Sequence, residues 1–175
     1  MPLSWWSRVR RPGMLVAMLL CGACIEAPDR HMEAMFSLHS AEFEALYHLV
    51  QEDRNSIGFM DQQSVRLIGR VGVVTLDDSA ETLALLAGRG VEKGRLKVYR
   101  DLMRRLELGG GWVQESGGVV HFRTAHNWDG GTTKGYAYLS SPPDRITATL
   151  DRIVVNRGET IYKRLRNCWY LYLAR

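Results

Sequence analysis

The first half of the chain has the hydrophobic spacing of amphipathic helices. In SAEFEALYHLVQEDR, residues 40–54, apolar side chains recur every three or four positions, and Ser37 or Ser40 is a suitable N-cap. A clearer stripe with the same spacing runs through residues 92–108 and ends at a run of three glycines. Between these segments, AETLALLAGRG follows the capping turn DDS at residues 77–79. The pattern therefore predicts three helices in this half.

Strand patterns fill the rest of the chain. VRLIGRVGVVTL, residues 65–76, is rich in β-branched residues and interrupted by glycines, which predicts one bulged strand or two short strands. After the glycine run, WVQES and VVHFRTA flank a two-glycine hairpin turn, and KGYAYL follows. DRITATLDRIV, residues 144–154, is compatible with one or two helical turns. The predicted class is α+β, with N-terminal helices packed on a C-terminal antiparallel sheet of about four strands.

The register of the last hairpin, ETIYKRLRNCWYLYL, follows from its hydrophobic pattern. A three-residue loop at 166–168 pairs Lys163 with Leu171 and collects the apolar residues on one face, whereas a two-residue loop would scatter them. That face comprises Ile161, Leu165, Trp169, Leu171 and Leu173. The opposite face carries Tyr162, Tyr170 and Tyr172, which form a candidate binding surface because aromatic residues beside arginines recur at interfaces.

One thiol lies in the turn of this hairpin. Arg164 and Arg166 flank Cys168, and cationic neighbours suit a reactive thiol. No histidine is close in sequence, so a partly buried, inert thiol is the simpler interpretation.

Charge is unevenly distributed along the chain. The net charge is +4, and three of these charges come from arginines in residues 1–23, which contain no acid. The remainder is nearly neutral, which is not typical of a nucleic-acid-binding domain. Residues 89–105 hold seven basic side chains against two acidic ones, whereas residues 25–61 hold eight acidic against two basic. The basic segment, with Arg100 and Arg104 as candidate contacts, favours an anionic partner, or else the two segments face each other.

The most suggestive polar cluster lies in HFRTAHNWDGGTTKG, residues 121–135. An enzyme interpretation makes His126 a general base, Asp129 its orienting partner and Arg123 an anion anchor. A metal interpretation would instead use His121, His126 and Asp129. Neither spacing matches a known signature, and a solvated hairpin with a polar turn accounts for the same residues. The sequence therefore predicts no metal and no cofactor.

The N-terminus has the order of a signal peptide. A basic segment, MPLSWWSRVRR, precedes an apolar run, and small residues follow before Cys24. The run is far shorter than the roughly 20 residues of a membrane-spanning helix. The sequence CGAC at residues 21–24 resembles the lipobox of bacterial lipoproteins, which usually reads Leu-Ala-Gly-Cys. This resemblance implies fatty acylation of Cys24 and cleavage after Ala23, and Ile25, in place of aspartate, implies the outer membrane.

The predicted organisation is a signal peptide at 1–23, a lipidated cysteine and tether at 24–36, and one domain at 37–175. In general shape, this body resembles small, uncharacterised envelope lipoproteins. We expect a lipid-anchored envelope protein that faces the periplasm and acts by binding another envelope protein, peptidoglycan or an anionic glycolipid, without catalysis and without nucleic acid. The alternatives are an envelope hydrolase using residues 121–134, a secreted or periplasmic protein cleaved after Ala23 or Ala27, and a soluble intracellular domain.

Overall fold

The computed structural model describes residues 27–69, 72–76, 79–109, 111–115, 118–124 and 131–175, and it describes 111–115 by their backbone only. Within these residues the helices are α1 (Asp29–Leu38), α2 (Ser40–Glu52), α3 (Ala80–Ala87) and α4 (Lys93–Arg105). The strands are β1 (Ile57–Met60), β2 (Ser64–Leu67), β3 (Val74–Thr75), β4 (Gly111–Glu115), β5 (Val119–Arg123), β6 (Thr133–Leu139), β7 (Thr160–Arg166) and β8 (Trp169–Ala174).

All eight strands pair antiparallel in the order β3-β2-β1-β4-β5-β6-β8-β7. The four strands β5, β6, β8 and β7 form the C-terminal part of the sheet. All four helices precede β4 in the chain. The predicted α+β class is therefore confirmed. The sheet is larger than expected because β4 also pairs with β1, which joins the short strands β1–β3 to the C-terminal strands.

The predicted helices form at the positions that the spacing of their apolar residues indicated. The stripe on α4 is buried at Leu96, Tyr99, Leu102 and Met103. Helix α3 is capped by Ser79, whose Oγ accepts the backbone N–H of Thr82 at 3.2 Å. A side-chain acceptor at this position satisfies a donor that the first helical turn leaves unpaired.

Helix α1 corrects the prediction of a tether that extends to residue 36. The helix begins at Asp29, and its Met32 and Phe36 are only 1% and 5% exposed. The Phe36 ring lies 5.2 Å from the Phe43 ring of α2. Met32 and Phe36 are four residues apart, so they share one helix face, but a single turn of apolar pattern is too short to stand out beside Asp29-Arg30-His31.

Residues 144–154 do not form the helical turns that their sequence allowed. Ile146 instead makes an isolated parallel bridge to Tyr162 of β7. The Thr147 N–H donates to the Tyr162 carbonyl at 2.8 Å, and the Tyr162 N–H donates to the Arg145 carbonyl at 3.0 Å. β-branched residues suit this extended edge pairing better than a helix.

The last hairpin has the expected register with a different turn. Lys163 pairs with Leu171 and Ile161 with Leu173, but Arg166 pairs with Trp169, so the loop has two residues. A bulge between Arg164 and Arg166 absorbs the difference. The bulge compensates for the loop being one residue shorter than predicted. The predicted apolar face of the hairpin therefore still faces the helices.

Candidate anion-binding groove

A groove separates the α1–α2 elbow from the end of the last hairpin. A cavity of about 400 Å³ is lined by residues Glu33, Phe36, Ser37, Ser40, Arg164, Leu165 and Arg166. A second cavity of about 180 Å³ shares Phe36, Ser40 and Arg166 with the first and extends to Glu44 and Trp169. The two cavities adjoin, so we treat them as one site, the elbow groove.

Arg164 and Arg166 both line the elbow groove, with Arg166 paired to Trp169 on the helix-facing side of the sheet and Arg164 paired to Tyr170 on the other face. Arg164 and Arg166 are exposed, at the bulge of β7, which is the last strand in the sheet order. Neither guanidinium has an acidic partner within 4.0 Å in the part of the chain that the structure describes. Guanidinium groups bind carboxylates and phosphates through two parallel hydrogen bonds. The arginines are therefore available to an anion.

The acidic side chains of the groove are already engaged. Glu33 forms an ion pair with Lys163, with Oε1 and Nζ 2.6 Å apart. Glu44 Oε1 accepts a hydrogen bond from the indole N–H of Trp169 at 2.8 Å. Lys163 therefore neutralises Glu33, whereas Glu44 keeps its negative charge because the indole N–H is a neutral donor.

The start of helix α2 also borders the elbow groove. Its N-cap position, His39, is at the same time the C-cap position of α1. The partial positive charge of the first N–H groups of α2 is therefore offset by the carbonyl end of α1 and by Glu42 in the first turn. Ser40 lies at this terminus and lines both cavities, and the buried ring of Phe36 supplies an apolar floor. The arrangement fits an anionic group attached to an apolar or aromatic moiety.

The cluster predicted at residues 121–134 does not assemble as one site within the described residues. His126 and Asp129 lie outside those residues. His121 and Arg123 share the sheet face away from the helices, where Arg123 stacks over the Phe59 ring at 5.7 Å. Lys134 points to the opposite, helix-covered face, so it cannot join them. The catalytic interpretation of His126, Asp129 and Arg123 stays a prediction.

Lys134 instead belongs to a buried ion-pair network at the start of α1. Its Nζ lies 2.8 Å from Asp29 Oδ1 and 2.9 Å from Asp151 Oδ1. Lys163 Nζ lies 3.1 Å from Asp29 Oδ2, which also accepts the Leu150 N–H at 2.7 Å. Burial alone would raise the pKa of Asp29, but these hydrogen bonds outweigh it and hold the pKa well below its usual range. The network fastens α1 to strands β6 and β7.

The candidate tyrosines are largely covered. Tyr170 and Tyr172 are each 3% exposed, and the Tyr172 ring centroid lies 4.5 Å from the His121 ring. Tyr162 is half-buried, with its hydroxyl 3.3 Å from His121 Nε2. Two of the three side chains thus expose little surface, and binding through them stays a prediction.

The candidate arginines of α4 have local partners. Arg100 donates to the Leu76 carbonyl at 3.2 Å, and Arg104 pairs with Asp101 at 3.3 Å. Arg95 bonds Glu52 and Asp53 at the end of α2, so the basic and acidic segments do meet at this point. A role of Arg100 and Arg104 in binding an anionic partner stays a prediction.

The predicted lipidation site, Cys24, lies outside the described residues. Among the helices that the structure describes, none is both long and apolar enough to cross a bilayer. The same residues contain no group of three or more His, Cys, Asp or Glu side chains able to hold a metal ion. Cys168 is half-buried and makes no disulfide.

Compared with protein-family models, with curated proteins and with solved structures, the chain shows no match. The function is therefore inferred from the residues of the site itself.

Only one wall of the elbow groove could be recognised from the sequence. Arg164 and Arg166 stand out as cationic neighbours of Cys168 and of the tyrosines. The other wall, at Ser37 and Ser40, was visible only as candidate helix caps, more than 120 residues earlier in the chain. No local pattern signals that these two segments meet.

Proposed function

We propose that this protein is a lipid-anchored cell-envelope protein that works by binding, and that the elbow groove receives an anionic group of its envelope partner. The observation that carries the binding part is the pair of arginines, Arg164 and Arg166, without acidic partners in the described part of the chain, beside the start of α2. The anchoring part is carried by the leader and by the small residues before Cys24.

The position of Ala27 supports cleavage before Cys24 over cleavage after Ala27. The Ala27 carbonyl accepts a hydrogen bond from the buried Lys134 ammonium at 3.0 Å. Cleavage after Ala27 would remove this acceptor and place a new positive terminus on Pro28, the residue directly before Asp29. Removing a partner from a buried charge is costly.

The distance between anchor and groove favours a partner outside the anchoring membrane. Helix α1 rises about 14 Å from its start to the elbow, and strand β7 spans about 20 Å from Thr160 to Arg166. The groove is at the elbow end of α1, away from Ala27, which follows Cys24 by three residues in the chain. Among the predicted partners, this arrangement favours peptidoglycan or an envelope protein over a glycolipid of the same leaflet.

Replacing Cys24 with alanine is expected to abolish membrane anchoring of the full chain in a Gram-negative host. Without the thiol, no acyl chain can attach, so the protein should move from the membrane fraction to the soluble fraction and lose the acyl mass. Fractionation and intact-mass spectrometry measure both effects. Cys168→Ala is the matched control and should stay in the membrane. A wild-type protein that keeps Met1 and remains soluble would refute the anchoring.

Replacing Arg164 and Arg166 with alanine is expected to weaken anion binding by the acylated protein. An exposed ion pair contributes up to about 1 kcal/mol, so each change should reduce affinity up to roughly fivefold and the two together up to roughly thirtyfold. Calorimetric titration should use three probes: inorganic phosphate, soluble muropeptides with free carboxylates, and the phosphorylated disaccharide of a glycolipid. The probe that binds most tightly identifies the source of the anion.

Arg66→Ala is the control for this experiment, because Arg66 is exposed on β2 and lines neither cavity of the elbow groove. It should bind the probes as the wild type does. If Arg164→Ala/Arg166→Ala binds every probe as tightly as the wild type, the elbow groove is not the binding site, whatever the result for Cys24.

A further inference from the structure

The start of helix α1 lies at one end of the sheet. Three strand ends meet there, because Ala174 of β8 pairs with both Thr133 of β6 and Thr160 of β7. Ala27 is held at this end by Lys134, the residue after Thr133. The point where the chain enters the domain is therefore fixed relative to the sheet.

An irregular loop packs against this entry point. The Asp29 N–H donates to Asp151 Oδ1 at 3.0 Å, and Thr149 Oγ1 donates to Asp29 Oδ2 at 3.0 Å. Residues 152–157 continue directly from these contacts toward the start of β7. The loop cannot move away from Asp29 without breaking this network.

The loop exposes apolar side chains that a folded domain usually hides. Val154 is 83% exposed and Ile146 is 51% exposed. The two line one surface depression of about 420 Å³ together with Ile153. Exposed apolar residues that cluster, rather than lie singly, indicate a contact surface.

Two cations lie next to these apolar residues in the chain, and one exposed acid, Asp144, lines the same depression. Arg152 and Arg157 are exposed and have no acidic partner within 4.0 Å among the residues whose positions are described. The nearest acids in sequence are already paired: Asp151 with Lys134 and Glu159 with Arg145. We call the four residues Ile146, Arg152, Val154 and Arg157 the anchor-end surface.

We propose that the anchor-end surface lies against an anionic lipid bilayer, an inference that rests on the proposed acylation of Cys24. Three Cα–Cα steps separate Cys24 from Ala27, so an acylated Cys24 holds Ala27 within about 11 Å of the interface. The Debye length at physiological salt is about 8 Å, so arginines at this distance experience a partly screened field of anionic headgroups. Apolar side chains beside arginines match the chemistry of that interface.

Hydrogen exchange of the full acylated protein tests the orientation. The protein is compared in nonionic detergent, in phosphatidylcholine vesicles, and in vesicles of phosphatidylethanolamine with phosphatidylglycerol. Backbone amides of residues 144–157 are expected to exchange more slowly in the anionic vesicles than in detergent, with a smaller effect in phosphatidylcholine. Amides around Val98 of α4, which is also exposed at 46%, should exchange alike in all three.

Three variants of the same protein test which side chains cause the protection from exchange. One arginine near an anionic surface favours contact by a factor of roughly five, so Arg152→Glu is expected to reduce the protection by at least that factor. Val154→Asp should also reduce the protection, whereas Val98→Asp should leave it unchanged. All three variants keep Cys24 and should remain with the vesicles.

The outcomes separate this inference from the proposed anchoring. If the wild type sediments with vesicles while residues 144–157 exchange as fast as in detergent, the orientation is wrong and the anchoring stands. Strong protection already present in detergent would mean that the chain itself covers this surface, which also contradicts the inference. If the protein does not sediment with vesicles, the anchoring fails and the orientation fails with it.

Discussion

Replacing Asp29 with asparagine is expected to destabilise the fold by about 3–5 kcal/mol. The substitution leaves the Lys134 ammonium, whose side chain is 2% exposed, with Asp151 as its remaining carboxylate. Asp151 is 43% exposed and partly screened by water. Since domains of this size are stable by about 5–15 kcal/mol, the loss should be plain in urea unfolding followed by circular dichroism.

Asp101→Asn is the matched control for that change. Asp101 pairs with Arg104 on the surface, where their side chains are 39% and 73% exposed, and such pairs contribute at most about 1 kcal/mol. A double variant, Asp29→Asn with Lys134→Met, should cost less than the two single changes together, because it leaves no unpaired ammonium. If Asp29→Asn and Asp101→Asn lowered the free energy of unfolding by the same small amount, the buried network would not be important for stability.

The same network makes stability depend on acid. The pKa of Asp29 is lower in the folded state than in the unfolded chain, where it is about 3.9. Asp29 therefore contributes stability above about pH 4, and this contribution is lost as the pH falls further toward the folded-state pKa. The wild type should lose stability steeply below pH 4, and Asp29→Asn should lose less over the same range.

Replacing Gly135 with alanine is expected to destabilise the protein by about 3 kcal/mol or more. A Cβ at this position would overlap the Phe122 carbonyl oxygen and approach Tyr172 Cε1 to 2.8 Å. Gly135 pairs with Arg123 of β5 on one side and with Tyr172 of β8 on the other. The strand cannot shift to make room without breaking one of these ladders. Thermal unfolding measured by calorimetry gives the size of the loss.

Gly94→Ala provides the comparison at a glycine with open surroundings. No atom lies within 4 Å of a Cβ built at Gly94, which is the second residue of α4. Alanine is the better helix former, so this variant should be roughly 0.5 kcal/mol more stable than the wild type. If Gly135→Ala were as stable as Gly94→Ala, the inference that β5, β6 and β8 pack closely around Gly135 would be wrong.

The sequence predicted elements whose signal is local. The α4 stripe, the Ser79 cap and the register of the last hairpin depend on residues close to one another in the chain, and all three are confirmed. Strand β1 pairs with β2 nearby in the chain, but it was missed because it has four residues, two of them only half-buried, and its second partner, β4, lies about 50 residues away. Pairing at that distance leaves no periodicity to detect.

The same distinction holds for the functional residues. Lys134 looked like a member of a polar loop cluster, yet its partner Asp29 is 105 positions earlier, in a segment expected to be a tether. The alternation of a strand puts Lys134 and Arg123 on opposite faces, since Arg123 pairs with Gly135 rather than with Lys134. Only the pairing of β5 with β6 decides that question.

The length of strand β7 has a consequence for affinity. Along this strand, Arg164 and Arg166 lie about 13 Å and about 20 Å from Thr160. With the proposed acylation, copies tethered in one leaflet would all present their guanidinium groups in the same thin layer. A partner confined to that layer meets them at high effective concentration, so millimolar intrinsic binding would be enough for high occupancy.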